Sequence, residues 1–513
     1  MRKVILLIFL TTVVTGMLYY QKYQWSNYMS DELKVAFPYA KPARFYEPTQ
    51  IHLSPEYSFL ENIFSTLVEL SPEDASVQKG IAESWEWVND ELVFTIRKDI
   101  KTAAGVHLTA EDAEFSLKRV LVKTQNTHGN LKDLVCSAAI IKSIDDTCEG
   151  IRSVGNKLFL KISGKSAFIL PMLSGIDFAI IPKLSVDIKT LDIIDYRNTS
   201  GPYYVEKDSE DGKIELIANQ NHYHYSKEMP QKIILVPTDP NNKSEAIGLF
   251  KKGLVDLLTT VDAARTEEMF YLNKEISNSN LHVTANIRSY QLVFTERGIQ
   301  ELNLEQRIAL GRQIKSTVNK VFLELPGYEL SNQFYPPYGS GAIDPGRAES
   351  YATRTGTLKN LTAKKILISI IRLGNIDIYK NAIEKDLPIA QVTEGKKSPT
   401  FEKYNNIDDM PHAIIAGPDS GFNEDISLIS YSLAAGEFGL STKERELWLS
   451  EYVMIPNKES RLKKLKELHE KALASAILIP MFSGPYTALV RAPWTFHFSK
   501  IMANDPIWRI KKN

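Results

Sequence analysis

The chain has 513 residues, with 61 basic and 62 acidic side chains and a formal net charge of -1 at pH 7. This length exceeds what one hydrophobic core usually covers, so we expect two or more domains. The balanced charge favours neither nucleic acid nor an anionic membrane surface as a partner. A hydrophobic content of 43% and an aromatic content of 10% suffice for large cores and an aromatic-lined cleft.

Residues 1–24 are predicted to be a targeting segment. Arg2 and Lys3 precede an almost continuous apolar run at 4–18. Because this run is shorter than the roughly 20 residues that span a bilayer, a cleaved signal peptide is the preferred interpretation. Tyr19 and the aromatic residues that follow it suit a membrane interface, so an uncleaved inner-membrane anchor is the alternative. Either way, the folded part is expected in the periplasm.

The next signals predict an α/β segment. A first strand is expected at 33–37 and a short apolar helix at 59–70. Alternating apolar residues around Trp85 and Phe94 predict two strands, and Asn89-Asp90 between them suits a tight turn. Thr109 can cap a following helix whose first turn is acidic.

The only two cysteines are Cys136 and Cys148. Their spacing would close a short loop, and an oxidising periplasm would permit the bond. We predict a disulfide, with two buried free thiols as the alternative, because sequence alone does not give the Cα distance.

Four segments in this part of the chain resemble one family in a fixed order. They are FSTLV at 64–68, AESW at 82–85, IRKDIK at 96–101 and AEDAEFS at 110–116. They are similar to motifs of the extracellular solute-binding proteins of the peptide and nickel transporter family, the receptors that feed ABC importers. The chain departs from the pattern at Ala104-Gly105, where the family has Asp-Gly, and it lacks the glutamate before the family's Gly-Leu-Val.

The resemblance continues to the end of the chain and covers roughly residues 33–510. Further matching segments are TSGPY at 199–203, GLVDL at 253–257, YQLVF at 290–294, YPPY at 335–338, ILIPMF at 477–482 and LVRAPW at 489–494. Gly and Pro in the first of these suit a tight entry into a strand, which is a structural role.

The resemblance implies an α/β, two-lobed periplasmic-binding-protein fold of class II, cluster C, with a hinge and an extra subdomain in the first lobe. The expected first lobe is 30–287, with the inserted subdomain at about 72–175. The second lobe is expected at 295–483, and residues 484–513 return to the first lobe.

We expect no enzyme activity. The sequence contains no G-x-S-x-G, H-E-x-x-H or Walker motif and no cysteine spacing suited to zinc. His222 and His224 alternate around a tyrosine, as on a strand, but no Cys, Asp or Glu nearby completes a metal set. We therefore predict neither a metal nor a cofactor.

The resemblance also places a ligand site in the cleft. The family anchors a peptide ammonium with an aspartate, and the aligned position here is Gly421, so Asp419 is the candidate acid, beside Gly417 and Phe422. An equally credible alternative is that Asp419 only shapes the loop.

The loop before the first helix holds His52, Ser54 and Tyr57, and this loop forms part of the cleft wall in the family's peptide receptors; ordinary exposed loop residues are as plausible. If the ligand lacks a positive end, His52, Ser54 and His128 become the first candidates.

The implied partners are a peptide or similar small solute and the permease subunits of an ABC importer. The alternative is a membrane-anchored periplasmic sensor or partner-binding module that keeps the fold without transport.

Overall fold

A computed structural model describes residues 31–38, 40–51, 53–128, 131–136, 139–163, 168–240, 242–260, 265–337, 339–371, 376–395, 406–417, 429, 432–503 and 505–512. Its strands are β1 (Glu32–Pro38), β2 (Val68–Leu70), β3 (Val77–Lys79), β4 (Ala82–Val88), β5 (Glu91–Ile96), β6 (Ile151–Val154), β7 (Lys157–Lys161), β8 (Tyr203–Asp208), β9 (Ile214–Ala218), β10 (Lys232–Thr238), β11 (Leu257–Thr259), β12 (Ser279–Val283), β13 (Arg288–Phe294), β14 (Glu329–Leu330), β15 (Ile366–Ile371), β16 (Ala390–Gly395), β17 (Ala413–Ala416), β18 (Leu478–Gly484), β19 (Thr487–Arg491), β20 (Trp494–Phe496) and β21 (Ile510–Lys512).

The α-helices follow the same chain order. They are α1 (Ser54–Ile63), α2 (Ala110–Lys123), α3 (Leu131–Val135), α4 (Ile169–Leu173), α5 (Lys243–Lys251), α6 (Thr266–Glu275), α7 (Glu296–Glu301), α8 (Leu304–Phe322), α9 (Pro345–Ala352), α10 (Ile376–Asp386), α11 (Thr442–Met454) and α12 (Lys458–Ala474). None of the helices in these described ranges is both long and apolar enough to cross a membrane.

The first large sheet has the strand order β12-β19-β11-β1-β10-β9-β8. Its centre is parallel, because β1 pairs in parallel with both β10 and β11. The predicted first strand is confirmed as β1, whose Leu33 and Val35 are buried. Strand β19, near the chain end, pairs with β11 and β12 and so lies in this sheet. We call this sheet, with the elements packed on it, the first lobe.

The second large sheet has the order β14-β18-β13-β17-β15-β16, and we call it, with its covering helices, the second lobe. Strands β15, β16 and β17 are parallel. Leu292 and Phe294 of β13 enter the core that also contains residues of α8 and α10, whereas Val293 belongs to the core on the opposite face. All of β13 lies in this sheet, so the chain crosses between the two large sheets before β13 begins.

The third sheet, β4-β5-β7-β6, contains the predicted hairpin. Trp85 pairs with Phe94 across β4 and β5, and Asn89 in the turn has a φ of 54°. The predicted cap of α2 is also present, because the Asp112 N–H donates to Thr109 Oγ1 while the Asp112 carboxylate accepts from the Thr109 N–H. These three predictions are confirmed.

The predicted helix at 59–70 is wrong. The helix is α1, which has Pro55 in its first turn and ends before Phe64. The chain then forms β2, in which Val68 pairs with Lys79 of β3. Pairing with the next strand, β3, therefore overrides the apolar pattern that suggested a longer helix.

Gly201 in the TSGPY segment has a packing role. Its N–H donates to the Ile63 carbonyl oxygen at 2.9 Å. A Cβ added at Gly201 would lie 2.3 Å from the carbonyl carbon of Ile63. Only glycine therefore allows the end of α1 to approach the backbone at the entry to β8.

The structure joins Cys136 and Cys148 by a disulfide, with a Cα–Cα distance of 5.1 Å. We expect thiol titration of the exported protein under denaturing, non-reducing conditions to detect no free thiol. Reduction should lower the free energy of unfolding by about 2–3 kcal/mol, because the bond closes a short loop in the unfolded chain. Two titratable thiols per chain before reduction would contradict this prediction.

Candidate functional site

Two short connections, 284–287 and 485–486, link the large sheets, because they join β12 to β13 and β18 to β19. The Thr284 N–H donates to the Tyr486 carbonyl at 3.0 Å, and the Tyr486 N–H donates to Thr284 Oγ1 at 2.8 Å. The two crossovers are thus hydrogen-bonded side by side, an arrangement that can serve as a hinge.

The carboxyl ends of the parallel strands lie on the crossover side of both sheets. In the first lobe, the Thr487 N–H donates to Thr260 Oγ1 at 2.9 Å, immediately after β11. In the second lobe, Ala416 at the end of β17 pairs with Gln291 near the start of β13. Ligands of open α/β sheets bind outside the carboxyl ends of the strands, which makes the interlobe cleft the candidate site.

The lobes also touch at two further places, one beside the second crossover and one on the side of the third sheet. Tyr328 Oη donates to Glu267 Oε2 at 2.9 Å, which connects the second lobe to the start of α6. On the side of the third sheet, the ring of Phe168 meets the edge of Tyr452 at 5.8 Å, and Arg461 stacks over the same ring at 5.5 Å. These contacts hold the lobes against each other on both sides of the cleft.

The structure places some of the predicted site residues and separates them. Ser54 begins α1 and Tyr57 packs on the first-lobe core. His128 Nε2 lies 3.2 Å from Asp177 Oδ2, and its ring lies 5.2 Å from the ring of Phe178, so these contacts of the imidazole are also within the first lobe. Gly417 directly follows β17 in the second lobe. His52, Asp419 and Phe422, with Gly421, lie outside the described residues.

A buried group of polar side chains near Gly417 was not predicted from the sequence. Ser289 and Gln291 alternate along β13 on the same face as Val293, and Glu437 interacts with both Gln291 and Ser432, next to the core that Val293 shares with Leu433 and Phe438. Ser289, Gln291, Ser432 and Glu437 are all at most 2% exposed. We call these four residues the polar stripe. The one sequence signal was the acid in the apolar run LAAGEFGL at 433–440.

The carboxyl of Glu437 is electrostatically unusual. Burial raises the pKa of Glu437 to about 7, and the neighbouring Ser432 hydroxyl and Gln291 amide only partly oppose this rise. Among the described residues, no donor lies within hydrogen-bond distance of Glu437 Oε2. Among the described residues, no cationic side chain contributes to this pKa shift. Glu437 is therefore a buried acid without a counterion among the residues that the structure describes.

The two histidines considered for metal binding lie in a turn, not on a strand. His224 Nε2 is 2.8 Å from Glu69 Oε2, and His222 Nε2 is 3.0 Å from Ser65 Oγ. Burial tends to raise the pKa of Glu69, but hydrogen bonds from His224 and Tyr223 outweigh it and hold that pKa below its usual value. Within the described ranges, no group of three potential ligands could hold a metal ion. The hydrogen bond between His224 and Glu69 therefore joins this turn to β2.

One protein-family model matches more than half of the chain. The model "Bacterial extracellular solute-binding proteins, family 5 Middle" matches residues 76–393. No curated protein matches this sequence.

Solved structures of low sequence identity share the fold along nearly the whole chain. OppA from Haemophilus influenzae in complex with RPPGFSPFR is 15% identical, with a TM-score of 0.70, covering 94% of this chain and 99% of that one. NikA from Brucella suis in complex with Fe(III)-EDTA is 16% identical, with a TM-score of 0.71 and coverages of 94% and 100%. DppA from Helicobacter pylori in complex with the peptide STSA is 16% identical, with a TM-score of 0.71 and coverages of 94% and 98%.

Proposed function

This chain belongs to family 5 of the bacterial extracellular solute-binding proteins, and we propose that it captures a peptide or peptide-like solute between its lobes for an ABC importer. Its fold is the α/β periplasmic-binding-protein fold of that family. The observation that carries the proposal is that the carboxyl ends of parallel strands from both sheets lie at two hydrogen-bonded crossovers.

The crossovers support capture by hinge closure. The proposal takes 30–287 with 484–513 as one lobe, with a subdomain at about 72–175, and 295–483 as the other. The interlobe contacts of Glu267 with Tyr328 and of Phe168 with Tyr452 are those that opening would change. A ligand that contacts both lobes would favour the closed arrangement, because it would bind that arrangement more tightly than the open one.

Peptide is favoured over other solutes by the neighbours of similar fold, two of which are complexes with RPPGFSPFR and with STSA. A third neighbour holds Fe(III)-EDTA, so fold similarity alone leaves a metal chelate as the competing ligand class. Peptide pools and metal chelates are therefore the two classes to compare in binding experiments.

The proposed cellular location of the folded protein is the periplasm. Residues 1–24, with their basic start and apolar run, favour export, and their aromatic end also fits an uncleaved anchor. An anchored sensor or partner-binding module is the second candidate function. The intact mass of the protein from its native host separates the two, since a transport receptor is expected to have lost this segment and an anchored module to retain it.

We expect Asp419→Asn to weaken peptide binding at least tenfold if Asp419 is the carboxylate that meets the ligand's positive end. Removing the only partner of a buried ammonium leaves it uncompensated and costs about 2–5 kcal/mol of affinity. Calorimetry with a peptide pool that has free or acetylated N-termini measures the effect, and the thermal stability of the free protein should stay nearly unchanged.

Equal binding of free and acetylated peptides would exclude recognition of the ammonium. If the protein binds neither peptide pool, peptide capture itself is contradicted. A metal chelate would then become the leading ligand class. His52, Ser54 and His128 are the residues to change first in that case.

A further inference from the structure

The two lobes share an apolar contact on the side of the third sheet. Phe168 directly precedes α4 of the first lobe, and Tyr452 lies near the end of α11 of the second lobe. Both side chains are fully buried, and their rings meet edge to face at 5.8 Å. They belong to one continuous apolar core that also contains Phe94 of the third sheet and Val293 of β13. This core therefore extends across the boundary between the lobes.

The second lobe holds its half of this contact in place by itself. Trp448 stacks on the Tyr452 ring at a centroid distance of 4.9 Å. Arg461 Nη1 donates to two carbonyl oxygens between α11 and α12, at 2.8 and 3.0 Å, and its guanidinium lies 5.5 Å from the centre of the Phe168 ring. Edge-to-face ring contacts and cation–π contacts are both attractive. Tyr452 and Arg461 thus form a socket that receives the ring of Phe168.

The other interlobe contact lies at the second crossover. Thr266 Oγ1 of α6 donates to the Pro485 carbonyl oxygen at 3.3 Å. Tyr328, which donates to Glu267, packs so closely on Gly484 that a Cβ added there would lie 3.0 Å from Tyr328 Cδ1. A rotation about a hinge displaces the atoms near its axis least. Opening would therefore change this contact less than a contact away from the crossovers.

The Phe168 contact is separate from the crossovers. Ile287 and Tyr486 of the crossovers pack in the first-lobe core, and neither belongs to the core that contains Phe168 and Tyr452. Opening about the crossovers would pull the Phe168 ring out of its socket and expose side chains that are now at most 2% exposed, including Arg461. Exposure of apolar surface to water opposes this movement. Domains of one chain are expected to move freely only where their interface is not large and hydrophobic.

We propose that Phe168, Tyr452 and Arg461 form a clasp that holds the two lobes together independently of any ligand, so that the cleft opens only when the Phe168 ring leaves its socket. This inference goes beyond the proposed function, because it concerns the equilibrium between the closed and the open protein and not the ligand. The clasp makes the closed arrangement the major population. It thereby limits the fraction of molecules whose cleft is accessible to a solute.

The test is a pulsed electron paramagnetic resonance measurement of the distance between two spin labels. The labels are attached to Lys98→Cys, just after β5 of the third sheet, and to Lys466→Cys on α12, since both positions are exposed. Cys136 and Cys148 are joined to each other, so only the introduced thiols react. The protein is first dialysed in urea without reductant and refolded, which removes any co-purified solute.

The variants remove one ring each and keep an apolar side chain in its place. They are Phe168→Leu, Tyr452→Leu and the double variant. The matched control is Phe59→Leu, which makes the same change at a side chain that is 1% exposed. The Phe59 ring stacks on Tyr46 at 4.1 Å, a contact within the first lobe. Thermal melting shows which variants are folded, and Tyr452→Leu decides the question if Phe168→Leu does not fold.

We expect the wild type and Phe59→Leu to show mainly one short distance. In Phe168→Leu a longer distance should appear, and its population relative to the short one should rise roughly tenfold, because a buried ring contact is lost. Tyr452→Leu should act in the same direction. The double variant should not exceed the larger single effect by much, because both changes remove the same contact.

The same distance distribution in the wild type and in folded Phe168→Leu would overturn the clasp. A wild type that shows the longer distance as often as the short one would overturn it too, because the contact would then not hold the lobes. Fully additive effects in the double variant would indicate two independent packing roles and would also contradict it. No peptide is present in these measurements, so failure of the clasp leaves peptide capture standing, and failure of peptide binding leaves the clasp standing.

Discussion

Replacing Glu47 with alanine is expected to lower the free energy of unfolding by about 3–5 kcal/mol, because it leaves a buried guanidinium without its carboxylate. Arg119 of α2 has a side chain that is 1% exposed. Its Nη1 donates to Glu47 Oε1 at 3.0 Å, and its Nη2 donates to Glu47 Oε2 at 2.5 Å. Its Nε donates to the Leu191 carbonyl at 2.8 Å, so one side chain joins three separate segments of the first lobe.

Urea unfolding at neutral pH measures this loss, and a matched control is available. Arg197 and Glu206 form a pair at 3.3 Å whose side chains are 65% and 44% exposed. Glu206→Ala should change the free energy of unfolding by less than about 1 kcal/mol, because solvent screens an exposed pair. Adding Arg119→Met to Glu47→Ala should recover part of the loss. Similar effects for the two single variants would show that burial does not decide the strength of these pairs.

Glu437→Gln is expected to stabilise the ligand-free protein at pH 8 and to have little effect at pH 4.5. Burial raises the pKa of Glu437 from its ordinary value to about 7. Between pH 4.5 and 7, the unfolded chain loses this proton while the folded chain keeps it, so the wild type loses stability as pH rises. At pH values above 7, the loss in the free energy of unfolding levels off at about 3 kcal/mol, because each unit by which the pKa is raised costs about 1.4 kcal/mol. Glutamine carries no charge and avoids this loss.

The measurement is urea unfolding of both proteins at pH 4.5, 5.5, 6.5 and 8, read as the difference between them. Other buried groups titrate in the same range, including Glu61, whose pKa burial raises to about 8, and His469, whose pKa burial lowers to about 4. Their contributions are present in both proteins and cancel in the difference. A difference that does not change with pH would mean that the Glu437 carboxyl ionises as it does in the unfolded chain.

Local signals predicted local structure well. The Thr109 cap, the Asn89-Asp90 turn and the alternation of Trp85 with Phe94 each involve groups within about ten residues, and the structure contains all three. The ordered family motifs predicted the fold class, which the family match supports over 76–393. The prediction of a helix at 59–70 was wrong because β2 forms hydrogen bonds with β3, and the spacing of the apolar residues does not reveal this pairing.

The candidate site was predicted less completely. Asp419 and Phe422 remain expectations, and His128 contacts Asp177 and Phe178 of the first lobe. The polar stripe could not be read from spacing, because Gln291 and Glu437 are far apart in sequence and become neighbours only in the folded chain. An isolated glutamate in an apolar run was the single hint.

By itself, the sequence determined the class of fold and those elements whose caps and turns are satisfied by neighbouring residues, whereas the export signal stays a prediction. Tertiary structure alone decided which polar groups are buried and whether they are paired. Arg119 acquires its partner Glu47 from a distant loop, whereas Glu437 is buried beside Gln291 of β13, with no cation acting on it from the described part of the chain. The physical reason is that desolvation and charge pairing depend on what surrounds a side chain in space, and most of those surroundings come from remote parts of the chain.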